Sequence, residues 1–157
     1  MKRKKIIKTG IIAVAAAVVL GVGIGLYMFF MPHRDVQKAS TDYALTASEL
    51  VAEYLNDRNA ANEKYLAEDG NSSILEVSGT VARISSNFNG QKVVLIKEET
   101  DQAGVNCTFM PSTNANAEKL KPGDQATIKG VIHSGPSYDP DLGMYIHAVL
   151  NHSDVIN

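Results

Sequence analysis

The chain has no tryptophan and a single cysteine, Cys107. A lone thiol can form no internal disulfide, so in any compartment the fold must be held by packing. Its position, far from the N-terminus, also excludes a lipidated N-terminal cysteine. No catalytic signature is present, neither a nucleophile motif nor a phosphate-cradling glycine loop. Basic charge is scarce beyond the first ten residues. "MKRKKIIKTG" holds Lys2, Arg3, Lys4, Lys5 and Lys8; the remainder has ten Lys and Arg against seventeen Asp and Glu, a net of −7. A nucleic-acid binder neutralises phosphates with a basic groove, and this balance is the opposite.

What is abundant is apolar residues near the start. "GIIAVAAAVVLGVGIGLYMFFM", residues 10–31, carries no charge and is long enough to cross a hydrocarbon core that needs roughly 20 residues. A cleaved signal peptide has a shorter apolar region ending in small residues, whereas this run ends in "LYMFFMPHR". The segment therefore reads as an uncleaved signal anchor. Basic residues stay on the cytoplasmic side, which puts residues 1–9 inside as a basic tail and the rest in the periplasm or outside the cell. Ala13, Ala17, Gly21 and Gly25 recur every fourth residue, a spacing at which helices pack closely, so a homodimer through this face is one expectation.

After a polar linker, 32–44, the stretch 45–69 reads as one amphipathic helix. Thr46 and Glu49 form a capping box flanked by Leu45 and Leu50 as a hydrophobic staple, and Gly70 stands where a left-handed residue would close it. Strands follow over 73–157. "SILEVSGTVARISS" alternates Leu75, Val77, Gly79 and Val81 against polar neighbours, its mid-strand glycine suggesting a bend. "NFNGQ" is a turn, "KVVLIKE" and "VNCTFMP" are further strands, "STNANAEKLKPGD" is a short helical turn, and "GDQATIKGVIHSGPSYDPDLGMYIHAVLNHSDVIN" supplies the last two. Five strands with a helical element between the third and fourth predict a mostly-β protein, a five-stranded OB-fold barrel with a packed N-terminal helix, preceded by a transmembrane helix.

The succession of "ELVAEYLNDRNAANEKY", "LEVSGTVARI", "VNCTFMP" and "KLKPGDQATIKGVI" resembles the bacterial tRNA-anticodon-binding-like OB-fold family, small extracytoplasmic proteins anchored by lipid or helix. The resemblance covers residues 46–157. Its most specific pieces are Asn62, Lys64 and Tyr65, "VSGTV" and "KPGDQATIKG". It implies an OB barrel and carries over no catalytic residues; this chain departs from the common lipoprotein form in using a helix anchor.

Three histidines stand on the C-terminal ribbon. If its turn centres on Pro140, His133 faces His147 across the strands, outward, at the roughly 4.5–5.5 Å Cβ separation of directly opposed residues. Two imidazoles at that distance, with Asp139 or Asp141, could hold zinc or copper. The bland alternative is a solvated pair, and His152 stands apart near the end. "DPDLG" lacks the further oxygen ligands of a calcium loop. Cys107, alternating with Val105 and Phe109, reads as core. Stacking aromatics for single-stranded nucleic acid are few, and Arg83, Lys92, Lys97 and Lys129 are scattered among acids.

The function expected is therefore a non-enzymatic binding or scaffold module of the inner membrane, with no cofactor. Phe88, Tyr138, Asp139 and Tyr145 would meet an envelope protein, glycan or small ligand. The alternatives are a metal-binding envelope protein and a single-stranded nucleic-acid binder.

Overall fold

A computed structural model describes the backbone of residues 2–30 and 35–156, with side chains from Val14 onward except Ala15. Residues 1–34 and 35–157 form separate compact units. In the first, α1 (Lys2–Phe29) runs unbroken for 28 residues, as expected where Ala, Leu, Val and Ile leave every backbone group to bond within the helix. Among the described residues no helix is long and apolar enough to cross a membrane; residues 10–13, 15 and 31 of the expected span lie wholly or in their side chains outside that set. Of the small-residue face, Ala17, Gly21 and Gly25 are exposed, and Ala13's side chain lies outside the described residues.

The second unit begins with a strap. Val36 is 4% exposed, and the Gln37 side chain donates to the carbonyls of His152 at 2.8 Å and Lys129 at 3.2 Å. Lys129 returns the contact, its ammonium donating to Ala39 O at 2.6 Å and to Gln37 O at 3.4 Å. The expected linker is thus docked on the barrel over this stretch, and it continues as a strand, β1 (Tyr43–Thr46), parallel to the first half of β2 (Ile74–Ser86).

The capping box forms as expected: Thr46 Oγ1 accepts the Glu49 N–H, and Glu49 accepts the Thr46 N–H. The single helix does not. It divides into α2 (Ala47–Asn56) and α3 (Arg58–Tyr65) at Asp57, whose extended backbone closes the first and whose carboxylate caps the second by accepting the Ala60 N–H. Asp is among the best N-capping residues, and here it turns the chain so that Ala61 and Tyr65 can be buried beside Leu50 and Tyr54. Gly70, at φ 82, sits in a turn five residues after α3 ends rather than at its cap. Glu53 of α2 fastens the two helices, accepting from Lys64 at 2.9 Å and from Tyr65 Oη at 2.8 Å.

The barrel is built from β2, β3 (Lys92–Ile96), β4 (Val105–Phe109), β5 (Gln125–Ser134) and β8 (Ala148–Ile156), with α4 (Asn114–Ala117) between β4 and β5. β2 runs antiparallel to β5 over residues 74–80 and to β3 over 81–86, and β8 lies between β4, to which it is parallel, and β5. These pairings close the five strands in the OB order. Gly79 stands where β2 passes from one partner to the other. A Cβ there would lie 2.7 Å from Ile96 Cγ2, so only glycine lets the strands come this close.

Alternation fills the interior with Leu75, Val77, Val81, Val94, Ile96, Val105, Cys107, Phe109, Ile128, Ile132 and Leu150; Leu50, Tyr54 and Tyr65 of the helices join the same core. Truncating one of these large side chains to alanine costs about 2–5 kcal/mol. One register shift matters for the outer surface. A bulge in β2 between Val81 and Arg83 moves the inward phase from odd to even residues, so Ile84 packs on the core while Arg83 turns out.

Candidate surface site on the barrel

The ribbon that carries the histidines does not turn at Pro140. β6 (Ser137–Asp139) and β7 (Met144–Ile146) form a separate hairpin that pairs Tyr138 with Tyr145 and Asp139 with Met144, so its centre falls between Asp141 and Leu142. The barrel ladder is displaced in the same direction, with Ser134 meeting Val149 and, across a register shift, Ile132 meeting Leu150. His133 and His147 are therefore not opposed, and the cross-strand metal pair expected at that register does not form. His133 is exposed at the end of β5. His147, half-buried before β8, accepts the Gly104 N–H on Nδ1 at 2.9 Å. Asp139 spends its carboxylate on the hairpin, accepting from the N–H groups of Asp141 and Leu142. Among the described residues no group of three or more His, Cys, Asp or Glu is placed to hold a metal.

The expected contact residues separate into two ends of one surface. Phe88, fully exposed, caps the β2–β3 turn, which Asn87 braces by accepting from the Asn89 and Gln91 N–H groups. Because β3 and β4 are antiparallel, that turn lies at the Phe109 end of β4. The tyrosines lie on the chain leading into Ala148, which pairs with Val105 at the other end of β4. There the Tyr138 and Tyr145 rings are 5.0 Å apart between centroids, inclined at 58°. Aromatic groups thus mark both ends, with the outward rows of the sheet running between them.

Those rows follow from register. Arg83, Leu95, Asn106 and Val149 lie abreast, as do Ser85, Val93 and Thr108. At the Phe88 end, Gln91, Thr108, Met110, Pro111, Asn151 and His152 border a shallow groove of about 560 Å³. At the other end the surface turns cationic. Gly104, whose N–H is held by His147, has the Cβ of Lys97 2.7 Å and the Leu95 Cδ1 3.0 Å from where its own Cβ would be; Leu95 is the ladder partner of Arg83. Burial holds the His147 imidazole below its ordinary range, and the positive charges of Arg83 and Lys97 press it in the same direction.

Of the four basic residues that look scattered along the chain, Lys92 is paired with Glu118 at 3.4 Å and Lys129 is committed to the strap. Arg83 and Lys97 remain, and neither has a carboxylate partner among the described residues. Sequence reading passed over this pair because the β2 bulge, invisible in the apolar alternation, is what turns Arg83 outward. The only available signal was their position on either side of a hairpin turning at 87–91.

A comparison with curated proteins returns no significant match. Among solved structures the chain is similar to one from Klebsiella pneumoniae described as a "putative nucleic acid-binding lipoprotein", with a TM-score of 0.55 at 20% identity over 81% of this chain and 100% of that one. At this identity the likeness bears on the fold alone. The tRNA_anti-like family model matches residues 1–139, from α1 through all the barrel strands but the last; with the OB barrel expected from that resemblance in place, the chain belongs to the tRNA_anti-like family.

Proposed function

We propose that this protein is a non-enzymatic binding module of the cell envelope. Its N-terminal apolar segment anchors it in the inner membrane with the basic tail inside, and its OB barrel meets a ligand outside. The observation that carries this reading is the outer sheet surface of β2, β3, β4 and β8, bounded by Phe88 at one end and the Tyr138–Tyr145 pair at the other. Exposed aromatic rings are the side chains most enriched at binding surfaces. Single-stranded nucleic acid is the second reading, favoured by the description of the Klebsiella neighbour and opposed by the −7 balance beyond the tail.

Two measurements test the proposal. Cys107 is buried, so a Ser40→Cys variant provides a single accessible thiol. It should react with a membrane-impermeant maleimide in cells whose inner membrane is intact; protection until lysis would reverse the topology. Full-length protein captured from detergent-solubilised envelope should retain a component that Phe88→Ala with Tyr138→Ala and Tyr145→Ala loses. Identical components with both proteins would sink the outer-face reading.

A further inference from the structure

The basic groups around Gly104 are assembled from three chain segments: Arg83 from β2, Lys97 from the end of β3, and His147 from the approach to β8. Of the carboxylates that follow Lys97, two hydrogen-bond elsewhere. Glu98 accepts from the Thr80 N–H and hydroxyl at 3.0 and 2.8 Å, and Asp101 accepts the Ser48 hydroxyl at 2.7 Å. Arg83 and Lys97 both bear on His147, and neither has a carboxylate partner among the described residues. Such an arrangement favours an anion from outside.

We propose that Arg83, Lys97 and His147 form a binding site for one compact anionic group, a phosphate or carboxylate borne by the ligand of the outer face. The site rests on the reading of that face as the binding surface, and it adds the chemistry of one end. His147 Nδ1 is held by Gly104 N–H, which leaves Nε2 as the ring's donor. The guanidinium offers a planar fork for two oxygens and the ammonium a point charge. The surrounding negative balance disfavours a long polyanion, while a single anionic group meets the local cations alone. With Nδ1 accepting the Gly104 N–H, the neutral ring already donates from Nε2, so anion binding does not call for the imidazolium.

The test uses the full-length chain in zwitterionic detergent micelles, with inorganic phosphate and acetate titrated separately against chloride at constant ionic strength. The thermal midpoint and the His147 ring resonances are followed. Expected is a saturable rise in midpoint with phosphate, acetate or both. The difference between the two salts states which anionic group is preferred. Arg83→Ala with Lys97→Ala should weaken apparent affinity about tenfold or more, whereas Lys119→Ala, elsewhere on the surface, should not. No saturable response to either salt, or an unchanged response in the double variant, would overturn the site. So would a single-stranded oligonucleotide that binds orders of magnitude more tightly with a salt slope reporting several phosphates. Envelope capture that depends on Phe88 and the tyrosines, without any anion response, would overturn the anion site and leave the outer-face reading standing.

Discussion

The imidazole of His147 accepts the backbone N–H of Gly104 at 2.9 Å. Protonating Nδ1 would set a donor against a donor, and burial together with the charges of Arg83 and Lys97 already disfavours the imidazolium. The unfolded chain takes up this proton near the ordinary value of 6.5 and the folded protein only at lower pH. Between those values the unfolded state holds more protons, so stability rises with pH there. The contribution is fully present above 6.5 and is lost as pH falls through the folded value. In buffers free of phosphate and carboxylate, melting curves should show the midpoint dropping as pH goes below 6.5. His147→Asn, which keeps an acceptor near Nδ1, should flatten that part of the profile; an unchanged slope would mean another group is responsible.

Tyr54 is stacked under the chain at Gly135. A Cβ on Gly135 would lie 2.0 Å from the Tyr54 ring, which cannot move aside because the ring is 2% exposed and packs on Tyr65 with centroids 6.0 Å apart. Gly135→Ala should therefore destabilise by at least about 1–3 kcal/mol, the range for overpacked cores. The Tyr54 hydroxyl is buried with no hydrogen-bond partner among the described residues, and burial pushes its phenol up to about 12. Tyr54→Phe removes an unsatisfied donor and should leave stability unchanged or raise it by about 1 kcal/mol. Urea unfolding of both variants decides; a marked loss in Tyr54→Phe would reveal a partner for the hydroxyl.

Cys107 faces the interior of β4 between Val105 and Phe109 and has no exposed surface. Burial raises its thiol far above the ordinary value, so almost no thiolate is present near neutrality. Reaction with a small disulfide reagent should be undetectable in native protein and complete in denaturant, at a native rate set by global unfolding. Rapid native modification would show that β4 opens locally.

These same residues show how much of the molecule is legible in its sequence. The barrel is, because alternation over Leu75 to Val81 and Val105 to Phe109 states which face is buried, and the Thr46–Glu49 box states where α2 begins. The break at Asp57 was hidden by an apolar stripe that continues through both helices, so periodicity alone joined them. The ribbon register was hidden because Pro140 and Asp139 look like a turn centre, while the turn is fixed by Asp139 capping Asp141 and Leu142 and by Gly143 at φ 63. The candidate site depends on both hidden features. A turn displaced by one and a half residues, which shifts the hairpin's cross-strand partners by three, separates His147 from His133, and the β2 bulge brings Arg83 onto the outer face. The pairing of Tyr138 with Tyr145 was not legible, since a turn at Pro140 sets Tyr138 against Leu142; nor was their distance from Phe88, which depends on which end of β4 each connection reaches.

Lys129 is 8% exposed, and its ammonium is satisfied by strap carbonyls, 2.6 Å from Ala39 O and 3.4 Å from Gln37 O. A buried ammonium must find such acceptors; the strap's other ties around Lys38 are buried Val36 and the Gln37 amide on Lys129 O and His152 O. Further along, Thr41 donates to Glu76 and Asp42 exchanges bonds with Ile74. Lys129→Met keeps the length and apolar stem while removing the donor, so the barrel should stay folded and the strap should open more often. Hydrogen bonds to a charged group are worth about 1.5–3 kcal/mol, and 1.4 kcal/mol is a factor of ten in an equilibrium. Trypsin cleavage after Lys38, itself exposed, should then accelerate about tenfold or more in the full-length protein, while the global urea midpoint falls much less. Gln37→Ala should act in the same direction. If neither variant changes cleavage at Lys38 while both lower the global midpoint, the strap is not a separate opening unit but unfolds together with the barrel.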